Sequence, residues 1–180
     1  MKLLYYIFSI PARLKGMKIG KGSTIGPFYD FLFNDFSNVI LGKKVNIGAH
    51  AYINPIKNKK TKPKIMIEDG TNIGRYSTLS CVKEINIGKN CLIGYNVSFL
   101  DHDHELYDMK KTPVTNGLTD GEKIIIENDC FIGAHSFILK GVNLGKRCIV
   151  GANSVVTKSF PAYSVIAGNP AKLLKKLKNK

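Results

Sequence analysis

No stretch of this chain is apolar for long enough to span a bilayer, so a transmembrane helix is excluded. Cysteine is scarce. The four present, Cys81, Cys91, Cys130 and Cys148, form no CxxC and no zinc-spaced set, which removes structural zinc and dithiol redox chemistry. There is no nucleophile elbow and no paired Cys–His motif, so nothing supports a covalent enzyme intermediate. Acidic side chains are few, 13 against 27 Lys and Arg, giving a formal net charge of +14 over 180 residues. Such an excess calls for an anionic partner: a phosphorylated ligand, an acidic membrane surface or nucleic acid. Nucleic acid has only charge in its favour, because no aromatic–basic module accompanies the lysines.

The opening segment, Met1 to Gly16, has an apolar part that stops at Pro11 and is followed by Arg13 and Lys15. It lacks a small-residue cleavage site, so it reads as a short helix capping the end of the domain rather than a signal peptide. A membrane-surface role for it stays open.

What the chain does have is a period of six. Ile126, Ile132, Ile138, Leu144, Val150 and Val156 are evenly spaced. The same beat runs through Ile19 and Ile25, through Leu41, Ile47 and Ile53, through Ile67, Ile73 and Leu79, and through Ile87, Ile93 and Phe99. Four residues after each aliphatic sits a small side chain such as Ala51, Ser77, Cys91, Cys130, Cys148 or Ser154. This is neither a helical nor a hairpin period. One large and one small inward residue per six describes a short strand and a bend, with glycine expected there for its backbone freedom. Three units close a triangular coil, and stacked coils bury a continuous core. The expected fold class is all-β, a parallel β-helix. The cysteines in the small slot read as core, with free thiols suited to a reducing cytosol.

Three interruptions break the beat. Pro27 to Asn38 is rich in aromatics and reads mainly as packing. Asn54 to Lys64 is basic and reads as a solvated excursion. The third, an extruded loop over residues 100–124, opens with Asp101, His102, Asp103 and His104. His50 and His135 both follow Ile-Gly-Ala and share one outward slot, as surface positions without chemistry. His102 and His104 stand instead where a strand gives way to a loop, which is where a rigid scaffold carries function.

The run GANSVVTK, Gly151 to Lys158, the ending AGNPAK, Ala167 to Lys172, and the DHDH element carry a resemblance. Over residues 17–172 the chain resembles the hexapeptide-repeat acyltransferases, especially the sugar O-acetyltransferases of galactoside, maltose and surface-polysaccharide type. The resemblance implies a left-handed coil, which the period does not determine, and a homotrimer with active sites between subunits. The expected organisation is a capping helix over 1–16, a β-helix domain over 17–168 and a basic C-terminal helix over 169–180, the last read from the lysine–leucine tail itself. The resemblance also implies acetyl-CoA as acyl donor, a sugar or glycan acceptor, no metal, and contacts to the donor from Ala134, Ala152, Thr157, Lys158, Pro170 and Lys172. Phe131 departs from the tryptophan that many relatives carry before the Ile-Gly of the last coils, and so lacks an indole N–H. The γ-type carbonic anhydrases share the repeat, but their spaced histidine pair is absent here. A non-catalytic scaffold is the other rival, against which the extruded loop speaks.

A sugar hydroxyl needs a base as it attacks, and imidazole titrates in the right range. His102 is the expected base; spacing alone does not separate it from His104, since both point one way in extended chain, and the family position favours His102. Asp101 or Asp103 would orient the ring. Backbone N–H groups of the neighbouring coil would hold the oxyanion. Transfer to the amino group of a nucleotide-linked sugar is the alternative. The expected location is the cytoplasm, with the lysine-rich tail from Lys172 to Lys180 drawing the protein to an acidic inner membrane face.

Overall fold

A computed structural model describes residues 2–27, 35–57 and 60–178, the first five through the backbone alone. The chain winds through three parallel sheets in turn. The first face has six strands, from Lys18–Ile19 through Val39–Leu41, Lys64–Ile67, Glu84–Ile87 and Ile124–Ile126 to Asn143–Leu144. The second runs from Thr24–Ile25 to Ser164–Ala167, and the third holds five strands from Tyr52–Pro55 to Val155–Val156. Register follows the repeat: Leu92 pairs with Phe131 and Phe131 with Ile149.

The six-residue beat is the interior of this prism. Every aliphatic of the series from Ile25 to Val156 is buried, and Ile19 packs against the same cluster. The small slot is buried too, and it has a polar task. Thr71 Oγ1 donates to Gly88 O at 2.6 Å, and Ser136 Oγ donates to Gly151 O at 3.1 Å. Cys130 Sγ takes the same position toward Gly145 O at 3.3 Å. A small X–H group there donates to a glycine carbonyl at the bend of the next coil. All four cysteines are free and buried.

The glycines need a different explanation from the one expected. The left-handed bend residue lies two places later, at Lys44, His50, Tyr76, Asn96 and His135. The glycines are required by close stacking instead: a Cβ on Gly74 would lie 2.4 Å from Gly94 O, and one on Gly133 would lie 2.4 Å from Ala152 N.

The N-terminal helix, Lys2–Leu14, covers the open end of the first coil, as expected. The C-terminal helix is not formed. Lys172–Lys176 is a strand, antiparallel to Ser164–Ala167. The chain reverses through Gly168 at positive φ and closes the open edge of the second sheet. An exposed sheet edge has unpaired amides and carbonyls, and pairing them outweighs the modest helix preference of a short lysine–leucine tail. With no helix there is no apolar stripe along it. The basic excursion is shorter than expected, because the third-face strand continues to Pro55. Of the aromatic insert, residues 28–34 lie outside the described residues, while Phe36 is buried in the core.

Candidate active site

The extruded loop leaves the prism after Ser98–Leu100 and returns at Ile124. Its legs are zipped together. Glu122 N–H donates to Asp101 O at 2.7 Å, Thr119 N–H to Asp103 O at 2.9 Å, and Glu105 N–H to Gly117 O at 3.0 Å. The tip is a helical turn, Pro113–Asn116.

Asp101 stands at the base of this loop and is buried. Its Oδ1 accepts the Val82 N–H at 2.8 Å and pairs with His102 Nδ1 at 2.9 Å. Its Oδ2 accepts the N–H groups of Lys83 at 2.8 Å and Glu84 at 2.9 Å. Those amides form the bend one coil below, so a single carboxylate fastens the loop where strand pairing ends. Burial pushes the Asp101 carboxyl up, but the bonds from His102, Val82 and Lys83 outweigh it and hold the group below the usual carboxylate range. Burial, and next the Asp101 charge, drive the neighbouring Cys81 thiol well up, leaving it protonated and inert.

An ionised carboxylate only accepts hydrogen bonds. His102 therefore donates from Nδ1, which leaves Nε2 as the ring nitrogen that Asp101 does not engage. Its side chain is 9% exposed beside an Asp101 that is fully covered. The second Asp–His pair differs. Asp103 is 60% exposed and bonds Lys140 Nζ at 2.6 Å, and His104 is exposed in the loop ladder. The carboxylate in contact with His102 is Asp101, and Asp103 has no contact with His102 among the described hydrogen bonds.

The expected donor contacts occupy the last two coils. Ala134 and Ala152 lie on the edge between the second and third faces. Thr157 and Lys158 follow Val155–Val156 on the edge that carries His102, two coils and thus about 10 Å further along. Pro170 and Lys172 belong to the terminal reversal, which crosses Val155 through Ala171 N–H at 2.8 Å. Within one chain the third sheet therefore separates Ala134 and Ala152 from His102.

The sequence reading missed a column on the first of these edges. His50 stacks on Tyr76 at 4.9 Å, Tyr95 meets His135 edge-on at 4.8 Å, and Asn96 Nδ2 lies 2.8 Å from His135 Nδ1. Arg75, Tyr76, Tyr95, Asn96 and His135 line a cleft of about 350 Å³. The signal was available: these residues fall two or three places after Ile73, Ile93 and Ile132, so the period stacks them. His50 and His135 do share the outward edge, but as part of a ring cluster.

A model of the hexapeptide repeat of succinyl-transferase matches residues 84–99 and 123–158, on either side of the extruded loop. Over these residues the chain carries the hexapeptide repeat that this family model describes. A relative of this hexapeptide-repeat chain is the putative lipopolysaccharide biosynthesis O-acetyl transferase WbbJ of Escherichia coli, 30% identical over 62% of the chain and 60% of the relative. The chain spans 60% or less of the length of the curated relatives reported first. In fold it is similar to AntD, an N-acyltransferase from Bacillus cereus, with a TM-score of 0.73 at 21% identity over 93% of this chain and 87% of AntD. It is also similar to a Vibrio cholerae hexapeptide-repeat acetyltransferase solved with acetyl coenzyme A, with a TM-score of 0.63 at 24% identity over 99% and 79%. At these identities the two structures speak for the fold alone. Among the described residues no His, Cys, Asp and Glu cluster is placed to hold a metal ion, and no helix is long and apolar enough to cross a membrane.

Proposed function

We propose that this protein transfers the acetyl group of acetyl-CoA to a sugar hydroxyl, of a surface polysaccharide or its precursor, with His102 as general base. The observation that carries the reading is the Asp101–His102 pair at the root of the extruded loop. His102 Nε2 takes the hydroxyl proton as the oxygen bonds to the thioester carbonyl carbon. The tetrahedral oxyanion rests on backbone N–H groups, and its collapse breaks the C–S bond. The imidazolium returns the proton to the leaving thiolate, giving ester and free CoA. Asp101 stabilises that imidazolium and keeps the ring turned. Lys158 and Lys172, exposed on the last coil and its cap, serve the donor's phosphates, beside Ala134, Ala152, Thr157 and Pro170.

In this reading the chain works as a homotrimer in the cytoplasm. Tyr107, Met109 and Val114 on the loop are almost wholly exposed in one chain, which suits a loop packed against a neighbouring copy. A subunit cleft would also reunite the two edges that the third sheet separates. The name of WbbJ favours oxygen as acceptor atom.

Incubation with acetyl-CoA and a panel of glycans and amino sugars, read by mass spectrometry and thiol release, tests the assignment. An acetyl ester on a glycan is expected, and His102→Ala should lower turnover by about 100- to 10,000-fold. A folded His102→Ala protein with full turnover would end it.

A further inference from the structure

The N-terminal helix has two faces with different surroundings. Ser9 and Ala12 are buried against the first coil. Ile7, Ile10 and Leu14, three and four places apart and so on the opposite face, are 49%, 39% and 83% exposed. A helix that only capped the solenoid would turn polar residues outward there. Along the chain up to this point the charge is of one sign. The first acidic residue of the chain is Asp30, and Lys2, Arg13, Lys15, Lys18 and Lys21 precede it. Beside the helix, Arg13, Lys21 and Lys44 line a groove of about 530 Å³ together with the backbone of Gly20 and Gly22.

We propose that this end of the solenoid docks on an anionic lipid bilayer, with Ile7, Ile10 and Leu14 entering the acyl boundary and Arg13, Lys21 and Lys44 meeting headgroup phosphates. An apolar row flanked by cations is the pattern of a helix lying in a membrane interface. Long basic side chains reach the phosphates while their stems cover the apolar flank. The other basic, apolar end does not compete for the same bilayer. Leu173 and Leu174 are exposed on the terminal strand, seven strand spacings and thus about 34 Å from the first-coil strand Thr24–Ile25. A flat membrane meets one end of such a prism, and the helix end has both an apolar row and a basic groove. The proposal does not rest on the acetyl-transfer reading.

Co-sedimentation of the full chain with vesicles of phosphatidylcholine, with and without phosphatidylglycerol, is the test. Binding is expected to the anionic vesicles, with release at high salt. The double variant Ile10→Asp with Leu14→Asp should weaken it by about tenfold or more. Lys21→Glu with Lys44→Glu should weaken it on anionic vesicles, and Leu173→Ser with Leu174→Ser should leave it unchanged. Circular dichroism separates these outcomes from misfolding, since all six side chains are exposed. Wild-type protein that stays in the supernatant would overturn the proposal. So would binding lost only with the leucine pair of the tail, or an aspartate variant whose sole change is a smaller oligomer by light scattering, which would make a second copy the occupant.

Discussion

Asp101–His102 and Asp103–His104 are the same dipeptide twice in succession, yet the protein treats them as different groups. The first is held by three amides of the coil below, out of water. The second is carried by the loop, where its carboxylate meets only Lys140 among the described ion pairs. What separates them is distance from the scaffold. Three residues beyond the strand Ser98–Leu100, no fixed array of N–H groups remains to hold a carboxylate, and without a held carboxylate an imidazole has no imposed tautomer.

The largest expected difference is in turnover. His102→Ala should lose about 100- to 10,000-fold, whereas His104→Ala should stay within about threefold, measured as CoA release at saturating acetyl-CoA. Equal losses would mean that both rings touch the reacting atoms. Next comes Asp101→Asn, which replaces an acceptor with a donor facing the Lys83 and Glu84 amides. Chemical denaturation should show a loss of about 2–3 kcal/mol for the donors left unpaired, and turnover should fall by about tenfold or more as the ring loses its orientation. Asp103→Asn should show neither effect.

A smaller effect appears in acid. The Asp101 carboxyl titrates below its unfolded value near about 3.9. The stability it contributes is full at neutral pH and is lost as pH falls through the lower, folded value. Thermal midpoints of Asp101→Asn should therefore vary less with pH below about 5 than those of the parent. An unchanged or steeper profile would contradict the hydrogen-bonded, ionised carboxylate. The smallest effect belongs to the exposed pair: Lys140→Ala should leave the melting temperature unaltered, as surface ion pairs contribute little.

The interior was readable because one physical demand recurs at every turn. Ile47, Ile73, Ile93, Ile132 and Val150 fill the same place in successive coils, so periodicity alone reports them. The loop was readable as the point where that demand stops. The Asp101 cradle was not, because its partners are amides of Val82, Lys83 and Glu84, and backbone groups leave no mark in a list of side chains. The terminal strand escaped for a related reason. Lys172–Lys176 answers an open sheet edge, which exists only once the coils have formed. The Arg75–Tyr76 and Tyr95–Asn96 pairs were visible as residues but unremarkable until stacking placed them beside His135.

Long-range ¹⁵N–¹H correlation of the imidazoles tests most directly whether the scaffold singles out His102, with only four histidines to assign. At neutral pH His102 should appear with its proton on Nδ1 and Nε2 bare, a state that Asp101→Asn abolishes and Asp103→Asn leaves intact. A His102 ring protonated on Nε2, or one indifferent to Asp101→Asn, would contradict the account.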